Sequence, residues 1–192
     1  MRPSLSTPAP VTWSLCAALV AAHVARRLAH HAGPAALVRW GAIRSGEHRL
    51  AEGWRLAAHG WLHVHALHLA LNLVPLLLLG PWIEQRVGRR RLAATWALST
   101  VAGGVLAAST APSGALVVGA SGGSFGLLGL TLAQLSTSPS RGRTALAVFV
   151  AAHLLADLCD PGAALSAHLG GLLTGAVAGL VFRPRTTAVA AA

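Results

Sequence analysis

Charge is what this chain has least of. Only 10% of its 192 residues are Asp, Glu, Lys or Arg, whereas a soluble domain carries about 25%. Hydrophobic residues make up 54%, and the mean hydropathy is +0.61. The shortage excludes an ordinary water-exposed surface and points to a bilayer. Acidic residues are scarcest, five in all: Glu47, Glu52, Glu84, Asp157 and Asp160. Lysine is absent, so all fifteen basic residues are arginine, and alanine is abundant. That composition suggests GC-rich coding and hints at a bacterial source. The two cysteines, Cys16 and Cys159, lie in or beside apolar segments. They read as small buried thiols and not as a disulfide framework.

Hydrophobic runs are what remains. They cover roughly residues 11–28, 61–83, 92–111, 115–135, 144–159 and 164–182. A transmembrane helix needs about 20 apolar residues, with 17–25 tolerated. Four runs meet this, and the first and fifth are marginal. Six spans are expected, with five as the alternative. The first run could be a signal peptide, but Arg26-Arg27 stand where a small-residue cleavage site belongs. The expected fold is an all-α polytopic membrane protein, a six-helix bundle at 11–182 with tails at 1–10 and 183–192.

The net charge of +10 reads as topology and not as nucleic-acid binding. Arg86 and Arg89-Arg90-Arg91 follow span two, Arg141 and Arg143 span four, and Arg183 and Arg185 span six. These loops share one side, which the positive-inside rule makes cytoplasmic, together with both termini. The segment 33–60 on the outer side mixes Arg39, Arg44, Arg49 and Arg55 with Leu37, Trp40, Ile43, Trp54 and Leu56. That mixture suits short helices lying in the membrane interface. Trp13, Trp40, Trp54, Trp61, Trp82 and Trp96 mostly fall near expected boundaries and read as interface anchors. Turn signals at Gly80-Pro81, Pro112-Ser113-Gly114, 136–142 and Asp160-Pro161-Gly162 separate or perturb the spans.

Polar groups at membrane depth are costly and tend to be functional. His68 and Asn72 are four residues apart and share a helix face. His63 belongs to another face or to the loop entering that helix. Gly122, Gly126 and Gly129 in span four fall at helical spacing, as do Gly171, Gly175 and Gly179 in span six. Small residues so placed let helix backbones approach closely. His168 lies three residues before Gly171, on the same contact face, so a tight crossing of the two spans would bring it toward Ser121. Counted from the expected span starts, His68, Ser121 and His168 lie about eight, six and four residues in, or roughly 6–12 Å below the outer boundary. Serine becomes a nucleophile when a base takes its proton, most often histidine. A tetrahedral oxyanion needs donors aimed at it; His68, Asn72 and the Ser121 backbone N–H are candidates. No acidic residue is placed to orient His168, so the expectation is a Ser–His dyad.

Taken in order, the motifs are Trp54-Arg55, His59, His63-x4-His68-x3-Asn72, Glu84-x-Arg86, Gly119-x-Ser121-Gly122 and Ala167-His168-x2-Gly171-x3-Gly175. On these residues the chain resembles a rhomboid intramembrane serine protease over about 40–182. The resemblance implies Ser121 as nucleophile, His168 as general base, and His68 and Asn72 lining the oxyanion hole. It implies supporting roles for Trp54, Arg55, His63, Glu84, Gly119, Gly122, Phe125, Gly171 and Gly175. It further implies a cap at 158–164 and a lateral gate at span five. The family often carries Tyr where this chain has Phe125, so ring stacking on the histidine is kept and a hydroxyl is lost. The implied activity is hydrolysis of peptide bonds in or near transmembrane segments of other proteins in the lipid bilayer. Small or helix-breaking residues are expected near the cut.

No cofactor, metal or nucleic-acid partner is expected. His59, His63, His65 and His68 lack an HExxH arrangement. Haem ligation by His23, His68, His153 or His168 would need histidines paired at matching depth on facing helices. His23, His30, His31 and His48 read as interfacial or loop residues. The alternative reading is a catalytically inactive rhomboid-like protein that binds membrane clients; the retention of both Ser121 and His168 argues against it.

Overall fold

Proline opens the first two helices, and Gly41 and Gly88 mark breaks between helices. In the computed structural model, residues 8–29, 33–46, 52–135, 144–151, 154 and 164–182 are described. Helix α1 is Pro10–Leu28, and α2 is the short Pro34–Trp40. Each begins with proline in the first turn, where the missing N–H has no intrahelical partner to lose. Gly41, in the left-handed region at φ 111°, ends α2. Strand β1 (Ile43–Arg44) follows, then α3 (Arg55–Ala58) and a 3-10 turn at His59–Trp61. The long helices are α4 (Ala66–Arg86) and α5 (Arg89–Thr110). Strand β2 (Leu116–Val117) pairs antiparallel with β1, Ile43 opposite Val117. Helix α6 is Ser121–Leu135, residues 144–151 are helical (α7), and α8 is Ala164–Val181.

The described parts of the 33–60 segment therefore contain two short helices, as expected, and add a two-residue ladder to the helices of the described residues. Two expectations need correction. Span four does not begin at 115: β2 and Gly119 (φ 120°) keep that stretch extended, and the helix starts at Ser121. Gly80-Pro81 does not interrupt span two, since α4 runs through Pro75 and Pro81 to Arg86. Contacts with α1 hold that stretch. A Cβ on Gly80 would lie 2.6 Å from the Thr12 methyl, so the bare glycine admits Thr12 at that point.

Helix α6 is the centre of the bundle. Every residue from 122 to 131 is buried, among α4, α5 and α8. Its glycines set the spacing. A Cβ on Gly171 would overlap the Gly122 carbonyl, and one on Gly175 the Gly126 carbonyl. Gly129 faces the Leu172 carbonyl in the same way, and a Cβ on Gly103 of α5 would lie 2.6 Å from the Ala167 carbonyl oxygen. The small-residue faces read from the sequence are the ones that meet. Around this centre Leu19, Leu76, Ile83, Leu92, Leu127 and Leu130 form the apolar core. Trp96 belongs to it too and is no interface anchor: it is buried, with its ring 5.1 Å from that of Trp61. Cys16 is a buried free thiol.

The end of the bundle away from Ser121 is tied by polar side chains. Gln134 accepts from Arg86 Nε at 3.2 Å and donates to the carbonyls of Gly179 (2.5 Å) and Phe182 (2.6 Å), joining α4, α6 and α8. Glu84 is buried and accepts from the Val11 and Thr12 N–H groups and the Thr12 hydroxyl, at 3.0–3.2 Å, with Arg89 Nε at 3.4 Å. It supplies from α4 the N-terminal cap that α1 lacks in its own sequence. Glu84→Ala leaves three donors without that acceptor. The expected cost is about 2–4 kcal/mol of stability, measured by unfolding of the detergent-solubilised protein.

Helices α4 and α5 are each long and apolar enough to cross a bilayer, and 165–181 is a shorter apolar helix. Leu67, Leu71, Val74 and Leu78 on α4, and Leu173, Val177 and Leu180 on α8, are exposed outward. In water such faces would be a liability; in hydrocarbon they are the natural exterior. The cap at 158–164, all but its last residue, lies outside the described residues. So do most of both tails, the 136–142 turn, Asp157, His153, Cys159, His30, His31 and His48.

Candidate active site

Ser121 is the first residue of α6, and its two predecessors are fixed by histidines. Gly119 N–H donates to the His59 carbonyl at 3.0 Å, and Ala120 N–H to His63 Nε2 at 3.3 Å. Gly119 is required twice over. Its φ of 120° disfavours any side chain, and a Cβ there would lie 2.8 Å from His68 Nε2 and 3.9 Å from Asn72 Nδ2. The chain just before Ser121 is thus pressed against both candidate oxyanion donors. On the far side, the Ser124 hydroxyl donates to the Asn72 carbonyl at 3.1 Å.

His68 is the third residue of α4 and Asn72 lies one turn below. Asn72 is buried, and its Nδ2 donates to the His68 carbonyl at 2.9 Å. An amide nitrogen carries two hydrogens, so one remains for a ligand. The start of α4 is capped by His65, whose Nδ1 accepts the His68 N–H at 3.0 Å. Sequence reasoning gave His65 no such role, because histidine is an unusual cap residue.

His168 is the fifth residue of α8. Its ring lies flat on Phe125, centroids 4.1 Å apart and planes 7° from parallel. Phe125 is one helical turn after Ser121, on the same face of α6. The stack therefore sets the imidazole beside the turn that begins with the serine. The neighbouring backbone agrees: a Cβ on Gly122 would lie 3.6 Å from the Ala167 carbonyl, and Gly171 rests on the Gly122 carbonyl. Ser121 and His168 are both half-buried. The depths shift from those expected, to positions one, three and five of their helices for Ser121, His68 and His168, because α4 and α6 start later than the hydropathy suggests.

His63 is fully buried and edge-on to His68, with centroids 5.1 Å apart and planes at 70°. Burial, then the neighbouring imidazoles of His68 and His23 and the Arg26 cation, push its pKa down to about 3. It is neutral at pH 7, as an Nε2 acceptor must be. Burial also lowers the pKa of His59, whose Nδ1–H donates to the Arg55 carbonyl at 3.1 Å. Arg55 donates in turn to the Val38 and Ala42 carbonyls, pairs with Glu52 at 3.2 Å and lies 4.8 Å from the Trp54 ring centre. Trp54-Arg55 thus ties the interface segment together at a distance from Ser121. Among the described residues no three His, Cys, Asp or Glu side chains are placed to hold a metal ion.

Two residues of α1 escaped the sequence reading. His23 is not interfacial but buried, and Arg26 is only 1% exposed. Their spacing of three residues, on one face of an apolar helix, was the available signal.

The site is that of an integral membrane protein with a serine and a histidine brought to one helix crossing. The Rhomboid domain family model matches residues 50–185. RHOMBOID-like protein 5 of Arabidopsis thaliana is 35% identical over 143 residues, 70% of this chain and 46% of that protein. Rhomboid-like protease 1 of Toxoplasma gondii is 30% identical over 154 residues, 76% of this chain and 53% of that protein. Rhomboid-related protein 3 of Homo sapiens is 33% identical over 152 residues, 68% and 37% respectively. The chain belongs to the rhomboid family, and its match spans about half or less of the length of these relatives.

Proposed function

We propose that this chain is an intramembrane serine endopeptidase acting on transmembrane segments of other proteins. The observation that carries the reading is the parallel stack of His168 on Phe125, one turn from Ser121. In the proposed reaction the Ser121 hydroxyl attacks a peptide carbonyl carbon while His168 takes its proton. The oxyanion is held by His68, by the free Asn72 N–H and by backbone N–H groups at the start of α6, which an α-helix leaves without internal partners. His168 then protonates the departing amine, and water, activated by the same imidazole, releases the acyl group. Hydrolysis needs water at Ser121, and the half-exposed serine at a helix start provides for it.

The same reading assigns six spans, with the arginine-rich ends in the cytoplasm and Ser121 toward the outer face. It assigns the helix containing α7 as the lateral entry for a substrate helix, which must unwind locally before its backbone can be attacked.

The test is cleavage in proteoliposomes containing a single-span substrate with small residues near its outer end. The unmodified chain should cut it and Ser121→Ala should not. Asn72→Ala should cut about 10²–10³-fold more slowly, the usual effect of losing one oxyanion donor. Intact substrate retained by the unmodified chain would instead favour a client-binding protein without catalysis.

A further inference from the structure

The chain enters α4 without helical structure at 62–65, Leu62 at φ −100°, ψ 137° and His65 at φ −144°, ψ 169° both being extended. The His63 and Val64 carbonyls precede the helix, and a carbonyl buried outside a helix ladder requires some other donor. Arg26, in the last turn of α1, supplies it: Nη2 lies 2.8 Å from the His63 carbonyl oxygen and 3.4 Å from that of Val64. The next link is His63 itself. Its backbone is gripped by Arg26, its Nε2 accepts the N–H of Ala120, and its ring meets His68 edge-on. Ala120 adjoins Ser121. A guanidinium on the first helix is therefore two hydrogen bonds and one imidazole away from the residue before the nucleophile.

We infer that Arg26 is a positioning residue for Ser121, fixing the 63–64 backbone so that His63 can hold the Ala120 N–H and support His68. This rests on the proteolytic reading of Ser121 and extends it to a helix that contributes no residue to the dyad or the oxyanion donors. Arginine suits the task because Nη2, with two hydrogens, reaches both carbonyls and the guanidinium stays charged when buried. The charge has a second effect. Together with His23 on α1 and His68 on α4, it faces His63 and opposes protonation there, so the acceptor at Nε2 is preserved.

The experiment measures the rate at which a fluorophosphonate modifies Ser121 in detergent. This rate reports on the serine without requiring substrate recruitment. The proteins are the unmodified chain, Arg26→Met, Arg26→Lys, His63→Ala and the Arg26→Met/His63→Ala pair, each checked for folding by thermal melting. Arg26→Met should slow labelling by about tenfold, and lysine should recover part of the loss by reaching one carbonyl. The double variant should be no slower than His63→Ala alone, because residues acting through one another are not additive. Labelling of Arg26→Met at the unmodified rate, or losses that multiply in the double variant, would overturn the assignment. If Arg26→Met does not fold, the same cycle with Arg26→Lys decides. If the folded, unmodified chain does not label at all, the proteolytic reading falls and Arg26 falls with it; if it labels and the cycle is additive, only Arg26 falls.

Discussion

His168→Ala is expected to bring cleavage of a transmembrane substrate down to background while the protein stays folded. Removing the histidine of a serine–histidine pair costs on the order of 10⁶-fold in kcat in the best-measured soluble case. The serine keeps its proton and is a poor nucleophile at neutral pH. The structural cost is small by comparison. The stack on Phe125 that the variant gives up is worth about 0.5–1.5 kcal/mol. The contacts that hold α8 in place lie further along, at Gly171 and Gly175. Initial rates in proteoliposomes, beside melting temperatures of both proteins, would separate lost chemistry from lost fold. Substantial turnover by a folded His168→Ala protein would remove the imidazole from the mechanism.

Gly175→Val is expected to have the largest effect on stability. A Cβ at Gly175 would overlap the Gly126 carbonyl group, oxygen and carbon alike. That neighbour is helix backbone and cannot rotate aside as a side chain would. The helices must separate, and the adjoining Gly171–Gly122 and Gly129–Leu172 contacts are disturbed with them. Without a hydrophobic effect between helices in lipid, close packing is a main source of association. A loss beyond about 4 kcal/mol is expected, in the range of the most damaging single changes. Activity should vanish as well, since α8 carries His168 and α6 carries Ser121. Leu173→Val, on the exposed face of the same helix, should change stability by no more than about 0.5 kcal/mol. Unfolding both variants by denaturing detergent measures the contrast.

Much of this site could be read from spacing alone. The three-and-four-residue rhythm of glycines in α6 and α8 identified the crossing that the structure contains, and His68 and Asn72 were assigned one face because helices repeat that way. What spacing could not supply was where helices begin. Hydropathy placed the fourth span from 115, whereas Gly119 and the β1–β2 pairing hold that stretch extended and leave Ser121 at a helix start. Hydropathy measures burial in lipid, and an extended apolar segment satisfies it as well as a helical one. The roles of Arg26 and His23 escaped notice for a related reason. An arginine near a span end is usually a topological marker, and only the fold reveals that the carbonyls of 63 and 64 come to meet it. The role of Glu84 as the missing cap of α1 depended likewise on a contact across 72 residues of sequence.

The central claim, that Ser121 is a nucleophile activated by His168, is tested most directly by locating a covalent adduct. Folded protein treated with a fluorophosphonate, digested and analysed by mass spectrometry should carry one phosphonyl group, on Ser121, and the His168→Ala protein should carry none. An unlabelled Ser121 in folded protein, or an adduct on Ser99 or Ser124 instead, would contradict the account.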